Sequence, residues 1–412
     1  MPVDFNRIPP RVAVPPAPRV SVVSWGLLLA IVLAASFTFS AEHWSANHPG
    51  DTLKFAMRAG AYPLLAWAFL LALWLAYGHV RRSQAIAKNR VSDEAEMACH
   101  SSASEPIAVL GQAWCFSSDD NENSAEVSRR GTLKLASRNS AYAPDKVVLA
   151  RWIDLPGSPF FPGNALSESA RHRAAASWIL ENLIAKIQSQ LHDFPSGTRI
   201  QVLVHGQTRL AISELDVLVD EQLKKTAPSL RFDVSTTDAV LPLFATDAWL
   251  DGRRNGNIIL LIALQLHDAI SRLISDGIAE TGVALLVSPV TFTRDAFQSS
   301  VRLHRPAQGP FDSVSDVLGL ATRWGRTTPA CASPAWSHGV AIEQLNEFRL
   351  ERNSGDRLKV DALEESVGNC SGAGSWLALA MAAECANASG KEQLVISGEG
   401  NGFTALVCRT KT

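Results

Sequence analysis

Two uninterrupted apolar runs stand out near the start of the chain. Residues 20–40, VSVVSWGLLLAIVLAASFTFS, carry no charge, and residues 61–80, AYPLLAWAFLLALWLAYGHV, repeat the pattern after the interval 41–60. Each reaches the roughly 20 apolar residues that cross a bilayer as a helix. A buried core helix is the alternative for either run, and a signal peptide for the first. A second span so soon after the first favours a helical hairpin over a cleaved leader. Trp67, Trp74 and Tyr77 in the second run are of the type that anchors at a membrane interface.

Basic residues near the spans predict the orientation. Arg7, Arg11 and Arg19 precede the first, and Arg81, Arg82, Lys88 and Arg90 follow the second. The loop between holds only Lys54 and Arg58, against Glu42 and Asp51. The expectation is a bacterial inner-membrane protein with 1–19 and everything after 80 in the cytoplasm, and 41–60 in the periplasm. The stretch PPRVAVPPAPRV (9–20) reads as a proline-rich, extended lead-in with no core of its own.

Beyond the spans, 81–144 is predominantly polar, with SSDDNENSAEVSRR at its centre, and reads as a flexible stem. From about 145 strand and helix patterns alternate. KVVLARWIDL (146–155) predicts a strand and RHRAAASWILENLIAKIQSQL (171–191) a helix. RIQVLVH (199–205), LRFDVST (230–236), NIILLIALQL (257–266) and GVALLVSPV (282–290) read as strands. Helices are expected at 212–227, at 243–256 ending on Gly256, at 316–324 and at HGVAIEQLNEFRLE (338–351). GSWLALAMAAECANA and two terminal strands, QLVISGE and FTALVCRT, complete the chain. This order implies a duplicated α/β architecture with mostly parallel sheets, its first half at 145–290 and its second at 291–412.

Composition removes some classes of function. A net charge of −2 over 412 residues gives no electrostatic case for nucleic acid. The six cysteines form no CxxC pair and no Cys/His zinc spacing, so no metal is expected, and their scatter suits a reducing compartment.

The most informative motif is GNCSGAG (368–374), just ahead of the apolar run SWLALAMAAECA. It is neither GxxxxGKS/T nor a GxGxxG after a strand, so it is no recognised phosphate cradle, and no cofactor is expected. Amides at a helix start still favour an anion. Cys370 at such a start is a possible nucleophile if a base lies near, His338 being the closest histidine in sequence; the alternative is an inert residue in a packed turn. His205, and His267 with Asp268, follow apolar strands at the edge where α/β folds place ligands, and equally serve as strand ends. Gly252, Arg253 and Arg254 read as a solvated helix C-terminus. Trp324, Trp336 and Trp376 are either core residues or docking anchors.

Several stretches together resemble the thiolase-like superfamily, in particular the β-ketoacyl synthases. EESVGNCSGAGSWLALAMAAE has the layout of that family's lysine, then GHxxGAAG, then a buried small-residue helix. Gly368 matches the first glycine, Gly372 and Ala373 the later small pair, and Trp376 to Ala383 the helix. VISGEGNGFTALVCRT resembles the family's terminal strand–glycine turn–strand, with Gly398, Gly400, Gly402 and Phe403 at the turn. DGIAETGVALLV (276–287) is a weaker match. The departures are in the chemistry. Asn369 stands where the resemblance implies a catalytic histidine, and Glu364, Glu365, Ser366 and Val367 where it implies a lysine. The segment 200–256 has no cysteine at the nucleophile's place, and the second histidine element is matched only by His338–Gly339.

Condensation needs a thiolate to hold the acyl chain and imidazoles to stabilise the enolate oxygen. An asparagine can donate to an oxyanion but exchanges no proton near neutral pH. The loop therefore reads as an active-site relic, with Gly368, Ser371, Gly372, Gly398, Gly400, Gly402 and Phe403 left as binding-loop candidates. The expected function is a membrane-anchored, non-catalytic adaptor with a protein partner and no nucleic acid. A further resemblance, to adaptors that load lipase effectors onto the type VI secretion machine, rests on the two-helix anchor with VLVHG and NIILLIALQL, and implies a secreted effector or spike component as that partner. An acyl-transferring or condensing enzyme using Cys370 is the alternative, and a structural membrane subunit the third. The thiolase-like resemblance also implies a homodimer.

Overall fold

The computed structural model describes residues 5–43, 52–129, 133–157, 159–252, 256–290, 301–328, 331, 335–341, 343–344 and 359–410. Residues 4–100 form one compact unit and residues from 101 onward another.

In the first unit α1 (Val22–Glu42) and α2 (Tyr62–Ala103) are long and apolar enough to cross a membrane. Their apolar residues are exposed rather than packed into a core, so neither is a buried core helix. Ser21 caps α1 through the Ser24 amide. The Trp67 indole N–H donates to the Trp25 carbonyl at 3.0 Å, and Trp25 also packs on Trp74. The second span is thus the first half of a 42-residue helix rather than an isolated element. Of the predicted loop 41–60, residues 44–51 lie outside the described residues, and Thr52–Ala61 is helical, with a π-turn at Met57–Ala61.

The proline-rich lead-in is not a free arm. It runs extended and antiparallel along the polar half of α2. Pro18 lies against Gly78, where an added Cβ would come within 2.8 Å. The Asn89 side chain accepts from the Val12 amide (2.8 Å) and donates to its carbonyl (2.9 Å), so one amide side chain satisfies both groups of an extended residue. Ser92 donates to the Pro9 carbonyl at 2.6 Å, and Arg11 reaches Asp93 and Glu96. Proline fits because it leaves an extended backbone with fewer donors to satisfy.

The second unit is built on one 11-stranded mixed sheet. Its strands are β1 (Ile107–Cys115), β4 (Arg199–Gln207), β5 (Arg231–Thr237), β6 (Ile258–Gln265), β7 (Thr281–Pro289), β8 (Val301–Leu303), β9 (Ala307–Pro310), β10 (Ala335–His338), β11 (Val360–Ala362), β12 (Gln393–Glu399) and β13 (Gly402–Thr410). The helices packed on it include α3 (Ala165–Lys186), α4 (Ile212–Thr226), α5 (Thr246–Gly252), α6 (Val314–Trp324) and α7 (Ser371–Ser389). Two strands apart from the sheet, β2 (Ser137–Asn139) and β3 (Val147–Leu149), pair with each other.

The path β5-β4-β6-β7-β1 is followed by β8-β13-β12-β10-β11. Within each half the strands therefore lie in the order third, second, fourth, fifth, first. In both halves the first two pairings from the outer edge are parallel and the next two antiparallel. The two halves join through an antiparallel β1–β8 pair. The expected duplication is present, but the sheet is mixed, because the fifth strand of each half reverses and pairs against two neighbours.

The predicted polar stem 81–144 is corrected most. Polar α2 continues to Ala103, and IAVLGQAWC within this stretch is β1, buried in the middle of the sheet. The first half thus begins at Ile107 rather than 145. KVVLARWIDL contributes only the short β3. The predicted helix at 338–351 starts on a strand end instead, and residues 345–351 lie outside the described set, as do Arg253 and Arg254. The predicted helix at 243–256 is a 3-10 turn at Leu243–Ala245 followed by α5, described to Gly252, while the other strands and helices match their patterns. β6 and β7 are buried at every position, as expected of central strands.

The bonds along the N-terminal strap predict that Asn89→Ala releases it. Trypsin should then cut after Arg11 severalfold faster than in the parent protein, while digestion of the second unit keeps its rate.

Candidate functional site

Helix α7 organises the candidate site. Its sequence is apolar all round, and 13 of its 19 residues are buried, packed against strands of both halves of the sheet. It stops at Gly390, left-handed at φ 67°. Its start is the GNCSGAG loop. Gly368 sits at φ 112°, a conformation side chains rarely adopt, with the Gly277 carbonyl and Ala279 packed where a Cβ would point. Asn369 is held by its backbone to Gly277 and Ala279, and its Oδ1 accepts from the Ser371 amide at 2.8 Å. Ser371 is itself left-handed, at φ 47°.

Cys370 is wholly buried, and its thiol donates to the Gly368 carbonyl. Burial pushes the thiol far above its ordinary range, and the Glu364 carboxylate adds to the shift. The helix dipole that could have activated it is outweighed. The other cysteines lie elsewhere in the sequence, away from the strand-to-helix segment Leu243–Gly252.

Two histidines converge on the first turns of α7. His338 ends β10, in register with Ser397 of β12, and its imidazole fills the space where a Cβ on Gly374 would lie. It is 5% exposed, its Nε2 has no hydrogen-bond partner, and Glu364 Oε1 is 3.7 Å away. Glu364 Oε1 also accepts from the Gly339 amide at 2.6 Å. His205 on β4 is fully buried, and its Nε2 would lie 2.5 Å from a Cβ on Gly372. Neither of its nitrogens meets a partner at hydrogen-bonding geometry. Burial holds both imidazoles below their ordinary range, opposed by Glu364 and Asn369 at His338 and by the Ala239 and Thr237 backbone at His205.

Around them the contacts are structural. Trp376 donates its indole N–H to the Leu241 carbonyl at 3.0 Å and stacks on Trp249. Ser375 and Ser397 share a hydroxyl bond of 2.6 Å. Glu399 accepts from the Leu243 amide at 2.8 Å, at the place the resemblance implies for a nucleophile elbow. Arg305 pairs with Asp247 and Asp251 and so fixes α5. Gly398 lies backbone-to-backbone on Gly339, and Gly400, at φ 59°, turns the hairpin from Glu399 to Gly402. Phe403 is buried and stacks on Phe311. Trp324, Trp336 and Trp376 are all buried, so none is a docking anchor.

The expected His267–Asp268 pair is not formed. Asp268 binds Arg209 through both oxygens, and the His267 carbonyl accepts from Arg171 and His172. Both residues belong to a separate ion network, in which buried Arg171 bridges buried Glu168 and Glu280. Glu168, His172 and Asp268 bring three donor atoms within 4.8 Å. His172 Nδ1 accepts the Arg209 amide, however, so Nε2 carries the proton and points at the His267 carbonyl. A cation there would need the opposite tautomer, and Arg171 already supplies the positive charge. The geometry is that of a structural knot.

The sequence marked Asn369, Cys370 and His338 separately but gave no reason to pair His205 with α7. The signal that could have done so is a repeated dipeptide. VLVHG and AWSHG place His–Gly at the end of the second strand of each half.

Gly374→Ala would drive a methyl into the His338 ring, and the overpacking should cost about 1–3 kcal/mol in chemical denaturation. A second expectation concerns pH. An imidazole with a native pKa below its unfolded value of about 6.5 leaves the unfolded state binding more protons as pH falls. His205 and His338 should therefore withdraw stability below about pH 6.5, and His205→Gln should flatten the melting profile there.

The sequence matches no protein-family model and no curated protein. Solved structures match in fold. The ishigamide ketosynthase/chain length factor superposes with a TM-score of 0.53 at 13% identity, over 75% of this chain and 100% of that one. A fungal type III polyketide synthase covers 74% of this chain and 100% of its own, at 12% identity and a TM-score of 0.45. The 3-oxoacyl-acyl-carrier-protein synthase III of Aquifex aeolicus VF5 gives 13% identity, 74% and 99% coverage and a TM-score of 0.42. The duplicated strand order, the buried α7 and the likeness to the ketosynthase/chain length factor together show that this chain has the thiolase-like fold.

Proposed function

We propose that this chain is a membrane-anchored, non-catalytic binding scaffold. The observation that carries this reading is the state of Cys370. It is the sole thiol in the relic loop, and it is wholly buried, bonded to a carbonyl and held protonated. His338 lies next to Asn369, but an imidazole without a thiolate to activate does not complete the thiol-based acyl transfer of the resemblance. The same burial weighs against a condensing enzyme that uses Cys370.

The strap supports the anchor topology. Residues 5–18 lie along residues 78–100, which favours the strap and the polar half of α2 lying on one side of any membrane that the two helices span. Basic residues flanking the spans favour the cytoplasmic side, in a bacterial inner membrane. The proposed partner is a protein, of the secreted-effector or secretion-spike kind implied by the adaptor resemblance, and a homodimer is the proposed state.

Intact-mass analysis of the full-length protein after incubation with acyl-CoA and acylated carrier protein tests the chemistry, and no adduct is expected. Asn369→Ala and Cys370→Ala should leave partner capture from the native membrane unchanged, with an effector or spike component as the captured protein. An acyl adduct on Cys370, lost in Cys370→Ala, would overturn the scaffold reading.

A further inference from the structure

The face of the sheet turned away from α7 carries an independent feature at the seam between the halves. Val301 and Leu303 of β8 point into the core around α7, so Arg302 between them projects from the opposite face. Across the ladder its partners are Ala108 on β1 and Arg409 on β13. Arg302 is 5% exposed, yet its Nη1 has no hydrogen-bond partner, and it forms no ion pair among the described residues. His304, two residues on, is 3% exposed, and neither ring nitrogen has a partner at hydrogen-bonding geometry.

The surroundings are positive. Arg409 donates to the carbonyls of Gly325 and Arg326, just past the C-terminal end of α6. A carboxylate, Glu392, lies 3.8 Å from Arg409. Arg326 occupies a left-handed position at φ 52°, where a glycine would be unstrained, and its side chain stands at the exposed rim. Burial first, and then the charges of Arg409 and Arg326, push His304 down to about 4 against the opposing backbone groups of Trp324 and Ser104, so it remains neutral at physiological pH.

The end of α6 accounts for Arg409, since cations favour helix C-termini. It does not account for Arg302. A guanidinium cannot shed its proton to escape burial, and an unpaired buried charge is strongly unfavourable. An anion gripped by the fork through two parallel bonds would neutralise that charge. We infer that Arg302, flanked by His304 and Arg409 where β1, β8 and β13 meet, is the centre of a binding site for an oxyanion, a phosphoryl or carboxylate group. The narrow exposure of Arg302 admits a small anion or the tip of a larger ligand, with Arg326 at the entrance. Arg302 lies on the other face of the sheet from the relic loop, so this inference stands whether or not the scaffold reading does.

The test uses the full-length protein in detergent. Inorganic phosphate and acetate are titrated separately at constant ionic strength against chloride, and melting temperature is read alongside tryptophan emission. One of the two anions should give a saturable rise in melting temperature, phosphate indicating a phosphoryl group and acetate a carboxylate. Arg302→Met should melt above the parent without added anion, because the unpaired charge is gone, and should show no saturable response. Arg302→Lys keeps the charge but loses the fork. It should bind at least tenfold more weakly, a reading that does not depend on the Met variant folding. The site is overturned if neither anion exceeds the chloride control, or if Arg302→Lys and the parent respond alike.

Discussion

The second unit depends on the burial of one helix between two half-sheets. α7 touches strands from both halves, so it must be apolar all round and must begin with residues small enough for close approach. Gly372 and Gly374 meet that requirement on different faces of the first turns, and a histidine from each half fills the space their missing side chains leave. The loop before the helix takes two left-handed residues, Gly368 and Ser371, to deliver the chain into this position. Much of what looks like catalytic residue in GNCSGAG is thus required by packing alone, whichever reaction the fold does or does not perform.

That constraint separates geometry from chemistry at the site. The glycines, the strand ends and the terminal hairpin keep the spacing of the thiolase-like fold, and His338 and Asn369 stay beside one another. The Cys370 thiol is enclosed, and a carboxylate, Glu364, occupies the place where the resemblance implies a lysine. A buried imidazole beside a carboxylate has different electrostatics from one beside a cation, even on an unchanged backbone.

Much of the architecture was legible in the sequence because its signals are local. Runs such as NIILLIALQL and the helix at 171–191 declare themselves by period, and GNCSGAG with GEGNGF marks the places where the backbone needs glycine. β1 was not legible in the same way. IAVLGQAWC contains a glycine and a glutamine and follows a polar helix, so its neighbours outweighed it; only pairing with β7 and β8 makes it central. The strap was missed because its binding is long-range, between an asparagine on α2 and a backbone 77 residues earlier. His205 was visible as a strand end, but its meeting with Gly372 depends on the two halves folding together.

The strap also fixes an order of events as the chain is made. Val12 leaves the ribosome long before Asn89, Ser92 and Glu96, and these are the residues that hold it and its neighbours. The N-terminal segment therefore stays unpaired while both apolar spans are synthesised, and it can close only once they lie with their outer ends together. A chain that lacked α1 would bring no extended segment back to Asn89 in the same register. Closure of the strap is in this sense a record that the hairpin was completed.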